Sequence, residues 1–454
     1  MPYIFKDPSF TSEEIIFDEI TDSELEIKLK NAEQTYSQLR YTNYENRAKI
    51  LLRAAKQLEK EKERYARIIT EEMGKITREA IGEVEKCALC CRYYAEHGKG
   101  FLKGDKVDVS PLSASIEYQP LGVILLIMPW NFPFWQVFRC ASAAIISGNS
   151  VVLKHASNVP QCALAIEEIF NSAVPDLNCL QNLFVSSSRI DNIIADKRIK
   201  AVALTGSEAA GRAVAATAGR AIKPALLELG GSDPFVVLED ADLELAVKNG
   251  ITSRFMNAGQ SCIAAKRFIV CEKIADEFCD LFAKAVGKLK TGKPDAPETD
   301  IAPLAREDIL TEVEQQVNDA VAKGAKIICG GSRAEMDGNY YLPTILDCVS
   351  EDMQVWSKEV FGPVATIIRV KDADEALQIA NDSDLGLGGS VWTKDTEKGR
   401  AFAMKLECGS AFVNCMVRSD PRLPFGGIKE SGFGRELAAN GVRQFVNIKT
   451  VCCG

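Results

Sequence analysis

Between Gly122 and Leu229 five short apolar runs alternate with four segments of helical character. The runs are GVILLI, SVVLK, NLFV, KAVALT and PALLEL, and the segments between them are Pro133–Ile146, Pro160–Ser172, Arg189–Asp196 and Glu208–Ala218. GVILLI is apolar at every position, as expected of a parallel strand covered on both faces. Strict strand–helix alternation leaves few topologies open. Right-handed crossovers wind the helices over both faces of a doubly wound, Rossmann-like α/β sheet. Ligands of such sheets sit outside the carboxyl ends of the strands, which directs attention to the residues at those ends.

The regions on either side read differently. The first hundred residues predict long amphipathic helices, including Asp22–Leu39 and Asn43–Thr70. KVDVS and SASIEYQP alternate around Pro111 and predict a β-hairpin. Past Gly230 a second α/β unit is expected, with helices over 241–256, 273–289, 306–323, 372–381 and 394–405 and strands at 267–271, KIIC, VATIIRV and GGSVWT. The tail VRQFVNIKTVCCG reads as an exposed strand in need of a partner. These readings divide the chain into a dinucleotide-binding domain (1–104 and 122–229), a catalytic domain (230–435) and a small β oligomerisation element (105–121 and 436–454).

Composition narrows the function. The chain has 454 residues, is 46% hydrophobic and 26% charged, and carries a net charge of −9. That is the profile of a soluble globular protein with a large core, and no Lys/Arg cluster suggests nucleic acid. No apolar run approaches the roughly 20 residues of a membrane span. MPYIFKDPSF has neither the basic start nor the apolar stretch of a signal peptide. Fifteen cysteines without an export signal point to a reducing, cytoplasmic setting. Cys87, Cys90 and Cys91 form a CxxCC, but no second cluster completes a metal site, so core packing is expected there and no metal. With only His97 and His155 present, a zinc site with several histidine ligands is excluded, and a catalytic cysteine would work without a histidine.

Four stretches at strand ends carry unusual residues. In MPWNFPFWQVFR, Asn131 reads either as a cap for the helix opened by Pro133 or as a side-chain donor to a developing oxyanion. LKHAS lacks the acid that many dinucleotide sites place on the ribose. Lys154, His155 and Ser157 would suit a 2′-phosphate, or form an ordinary polar loop. LTGSEAAG leads from a strand into a helix N-terminus, a place where phosphate can bind. In LLELGGSDP, Glu228 closes an apolar strand. It is either a desolvated general base or a paired structural residue. Cys262, in NAGQSCIAAKRF, follows Gly259-Gln260-Ser261 between a helix and a strand, where a thiol is accessible. Cys140, Cys162 and Cys279 lie on apolar helical faces.

The combination PWNFPFWQ, LTGS, LLELGGSDP, NAGQSC, EVFGPV and PFGGIKESGFGRE, in this order, resembles the NAD(P)-dependent aldehyde dehydrogenase superfamily. EEMGKITREAIGEV and the compact length resemble its succinate-semialdehyde dehydrogenase branch. The resemblance implies that Cys262 attacks the aldehyde, that the Asn131 amide and the Cys262 N–H hold the oxyanion, and that Glu228 activates the water that hydrolyses the resulting thioester. It implies cofactor contacts from Trp130, Lys154, Ser157, Gly206, Ser207, Glu359 and Phe361. Ser157 stands where the family often has an acid, so NADP is expected in preference to NAD. His155 replaces an expected proline, which leaves the shape of that loop open. Ile263 and Ala264 follow the nucleophile, so no neighbouring cysteine is there to form a local disulfide switch. Trp135, Arg139 and Ser419 are the expected substrate contacts, with Arg418 a further candidate and Arg422 a weaker one. Asn131, Trp135 and Arg139 fall at i, i+4 and i+8, as on one helical face. Arg139 is either a clamp for a distal carboxylate or a structural arginine paired elsewhere. A homodimer or homotetramer acting on a small aldehyde is expected. The alternatives are an enzyme for another short or medium-chain aldehyde, and a binding protein that keeps the fold without turnover.

Overall fold

The computed structural model describes residues 3–10, 14–174 and 177–454. The alternating region forms a parallel sheet of Val123–Met128, Ser150–His155, Leu180–Asn182, Ile199–Thr205 and Ala225–Glu228, laid side by side in the order third, second, first, fourth, fifth. The order reverses at Val123–Met128, whose neighbours are Ser150–His155 and Ile199–Thr205. Such a reversal opens a crevice at the carboxyl ends. A sixth strand, Gly432–Phe433, pairs antiparallel with Leu227 and Glu228. The chain thus returns to the first sheet before residue 435.

The second unit holds seven strands, in the order Lys326–Cys329, Thr344–Asp347, Val364–Val370, Ala265–Cys271, Asp233–Val237, Gly388–Trp392, Ser410–Val413. Only the Lys326–Cys329 edge is antiparallel. Asp233–Val237, Thr344–Asp347 and Ser410–Val413 are absent from the sequence reading. Each has only four or five residues, too few for a period to show. The third sheet is the predicted hairpin, Asp105–Val109 with Leu112–Pro120, joined by Val446–Cys453 along the whole of Ser113–Pro120. The tail strand therefore finds its partner within its own chain.

The helical layer departs from the sequence reading in one respect. The helix expected over Asn43–Thr70 is two, Tyr44–Lys60 and Lys62–Met73, interrupted at Glu61. Between the buried Leu58 and Tyr65 the run EKEKER offers no apolar residue to the core, and the break lets both helices keep their apolar faces inward. Thr77–Phe101 follows, with Cys87, Cys90 and Cys91 fully buried in the core. Two carboxylates of this layer cap helices of the first sheet, both of which begin with proline. Glu72 accepts from the N–H groups of Gln161 and Cys162, and Glu83 from those of Phe134 and Trp135. Each meets amides left without partners at a helix start, where negative charge is favoured.

Candidate active site

Cys262 follows a turn of unusual backbone. Asn257, Ala258 and Gly259 take φ values of 55°, 52° and 75° in succession. A residue other than glycine pays about 1–3 kcal/mol in that region and persists only where its surroundings hold it. Here they do. The fully buried Arg254 guanidinium donates to the carbonyls of Gly259 (2.9 Å), Ala265 (3.2 Å), Val360 (3.2 Å) and Gly362. The Asn257 N–H donates to Glu79 at 2.8 Å. Lys266, buried in the next strand, donates to the carbonyls of Ser261 (2.8 Å) and Cys262 (2.7 Å) and pairs with Glu359 at 2.9 Å. Cys262 is partly exposed, whereas Cys140, Cys162 and Cys279 are buried. Burial pushes its thiol up to about 12, opposed by the charges of Arg139 and Lys266. The thiol is thus protonated at neutral pH and must lose its proton to react.

Asn131 lies across the loop from this turn. Its carbonyl accepts from Lys75 Nζ (3.0 Å) and Asn257 Nδ2 (2.9 Å), and its own Nδ2 donates to the Gln260 carbonyl at 3.1 Å. A second amide hydrogen remains for another acceptor. Capping is not its role, because Phe132 occupies the cap position and Glu83 supplies the acceptor. Since the helix begins at Pro133, Asn131 precedes the first turn, and the shared helical face expected for Asn131, Trp135 and Arg139 does not extend to it.

Glu228 closes its strand fully buried, and no protein donor reaches either of its oxygens among the described residues. Burial and then Glu436 hold its carboxyl well above the ordinary range, against Arg139 and Arg435. The paired structural alternative is not what is seen.

Arg139, by contrast, is paired. Its buried guanidinium forms an ion pair with Glu436 through Nε, reaches Thr205 Oγ1 at 3.4 Å and stacks 5.0 Å from the Phe425 ring centre. Cys140 Sγ also donates to Glu436, at 2.8 Å. Glu436 thus supplies the carboxylate that a buried guanidinium needs. Trp135 and Ser419 do come together, with Trp135 Nε1 donating to Ser419 Oγ at 3.1 Å. Arg418 is exposed, and Arg422 is engaged by Asp420 at 2.7 and 2.6 Å.

Trp130, Lys154, Ser157, Gly206 and Ser207 lie at or just past the carboxyl ends of strands of the first sheet, and Glu359 and Phe361 precede the strand Val364–Val370. Lys154 is the penultimate residue of the strand beside the order reversal and lies 5.8 Å from the Tyr3 ring centre, and Ser157 is exposed three residues on. His155 does not join them. It is buried, its Nδ1 accepts the Ala156 N–H (2.8 Å), and Nε2 therefore donates to the Pro133 carbonyl (2.9 Å). Burial pushes it down to about 4, so it is neutral. Gly206 leads to Ser207, which caps Glu208–Arg220, and a Cβ at Gly206 would meet no atom nearer than 3.7 Å. Glu359 is fixed by Lys266 and by the Gly231 N–H at 3.3 Å. Phe361 meets Trp130 edge to face with ring centres 5.8 Å apart. An open turn at a helix start, a lysine without a carboxylate in its own loop and an aromatic wall fit a dinucleotide with an extra phosphate.

Arg254, Lys266, Lys75, Lys86, Glu83 and Glu436 are missing from the sequence reading. A signal exists for Lys266 and Arg267, which interrupt a strand buried at every position. Charge in such a strand requires partners. Among the described residues no cluster of three or more potential metal ligands occurs, and no helix is long and apolar enough to cross a membrane.

A profile of the aldehyde dehydrogenase family matches residues 6–451. A relative from Synechocystis, named probable succinate-semialdehyde dehydrogenase [NADP(+)], is 48% identical, covering 95% of this chain and 96% of its own. Succinate-semialdehyde dehydrogenase [NADP(+)] 1 of Mycobacterium tuberculosis is 47% identical, with 96% of each chain covered. The crystal structure of succinic semialdehyde dehydrogenase from Streptococcus pyogenes in complex with NADP+ superimposes with a TM-score of 0.96 at 39% identity over 99% of both chains. With these matches spanning nearly its full length, the chain belongs to the aldehyde dehydrogenase family.

Proposed function

We propose that this protein oxidises succinate semialdehyde to succinate with NADP, accepting NAD less well, through a covalent intermediate on Cys262. The identity to NADP-dependent succinate-semialdehyde dehydrogenases over nearly the whole chain carries the reading. The partly exposed Cys262 at the end of a strained turn supports its role as nucleophile. Once its proton is lost to solvent, the Cys262 thiolate attacks the aldehyde carbon, and the oxygen takes up the negative charge. The free Asn131 amide hydrogen and the Cys262 N–H meet that charge. Each such donor is worth roughly 10²–10³ in rate. A bound dinucleotide would supply a hydride acceptor, which leaves the substrate carbon on Cys262 as a thioester. Glu228, ionised, takes a proton from the water that attacks the thioester, and its desolvation makes it a stronger base than an exposed carboxylate. Lys154, Ser157 and the Gly206–Ser207 turn would hold the adenosine and phosphate end, and Glu359, Phe361 and Trp130 the nicotinamide end. Lys266 and Arg254 hold the backbone on which these groups stand.

The domain division given above belongs to the same proposal. So do a cytoplasmic location, supported by fifteen unpaired cysteines, and a homodimer or homotetramer, supported by the exposed third sheet. An aldehyde panel with NADP and NAD, followed by absorbance of the reduced nicotinamide, tests the reading. Succinate semialdehyde with NADP should give the highest kcat/KM, and Cys262→Ser should abolish turnover. A higher value for a neutral medium-chain aldehyde, or undiminished turnover by the serine variant, would refute it.

A further inference from the structure

We infer that Lys86, contributed by the helical layer, is a specificity-determining residue that binds the distal carboxylate of the aldehyde together with Ser419. This rests on the substrate proposed above. Lys86 lies on Thr77–Phe101 and reaches the corner where Trp135 meets Ser419. Its Nζ donates to Ser419 Oγ at 2.8 Å and sits 4.2 Å from the Trp135 ring centre.

Two cations stand near this corner, and they differ. Arg139 already has a carboxylate, Glu436. Lys86 makes no ion pair among the described residues. Glu83, one turn earlier on the same helix, is taken by Lys75 and by two backbone N–H groups. Burial and then the like charge of Arg139 push the Lys86 ammonium down to about 8. A partly desolvated ammonium held against an aromatic face, with a hydroxyl beside it and no anion of its own, is a receptor for a carboxylate. Ser419 accepts from both Lys86 and Trp135, so its own hydrogen is left to donate to the same anion. The aldehyde end would then face Cys262, whose electrostatic neighbours include Arg139.

Steady-state kinetics of the full chain with NADP test the inference, comparing succinate semialdehyde with butanal. Lys86→Gln should lower kcat/KM for succinate semialdehyde about 10- to 100-fold more than for butanal, as expected for losing one charged hydrogen-bonding partner. The loss should fall on KM, and Lys86→Arg should recover much of it. Lys86→Met, which keeps the apolar stem, replaces the glutamine variant if that does not fold. Equal losses on the two aldehydes, or no loss, would overturn the assignment of Lys86. A wild-type protein that does not favour the carboxylated aldehyde overturns the substrate proposal itself, and shows this before any variant is made.

Discussion

The Glu228 carboxyl sits at the end of an apolar strand with neither oxygen engaged by a described residue. Its raised pKa fixes a sign. The ionised base is gained as pH rises beyond the usual carboxylate range, so turnover limited by thioester hydrolysis should climb with pH through that raised value. Glu228→Gln should lose this limb and lower steady-state turnover by roughly 10²–10⁴. A single burst of reduced cofactor should remain on rapid mixing, and loss of the burst as well would contradict a role in hydrolysis alone. Glu228, Cys262 and Asn131 are legible in the sequence because each stands at a strand end or beside a loop in a small motif. Arg254 is not, because it is held in part by the carbonyls of Val360 and Gly362, about a hundred residues away. Arg139 shows the same limit. Its spacing marks it as special, but only the fold brings Glu436 to it.

Among elements, the left-handed run Asn257–Gly259 is tightly constrained. A Cβ on Gly259 would lie 2.3 Å from the Gly362 carbonyl oxygen and 2.5 Å from Arg254 Nη2, at a φ of +75°. Gly259→Ala should therefore lower stability by at least about 1–3 kcal/mol and displace the nucleophile. The thermal midpoint and the rate of Cys262 alkylation would both report it, and an unchanged midpoint would count against the strain. The long elements of the alternating region are readable, since Val123–Met128 is apolar throughout, the other long strands are mostly so, and the helices Pro133–Ile146, Pro160–Ser172 and Glu208–Arg220 each span more than three turns. The strands Asp233–Val237 and Ser410–Val413 are not, because so few residues carry no period. The break at Glu61 also escapes a periodic reading, because helical propensity continues through EKEKER and only packing on either side requires the interruption.

At the scale of the whole molecule, His155 ties acid stability to the fold. Its folded pKa is depressed from 6.5 to about 4, so its contribution is present above 6.5 and is lost as pH falls toward 4. The loss amounts to roughly 3 kcal/mol. Glu72, Glu79 and Asp233, raised to about 7, act in the opposite sense, losing their contribution as pH rises through that value. Urea-unfolding midpoints between pH 7 and 4 should fall less steeply for His155→Gln than for the wild type. Parallel curves would show that His155 is already charged in the folded state. The Lys75–Glu83 pair joins the layers more directly. One end holds the carbonyl of Asn131, the other holds the start of the helix that follows. Excising the first hundred residues to obtain a minimal nucleotide-binding fragment would unmoor both, so the amino-terminal helices are no dispensable wrapping, and a fragment lacking them has lost what holds the Asn131 backbone and the helix start beside it.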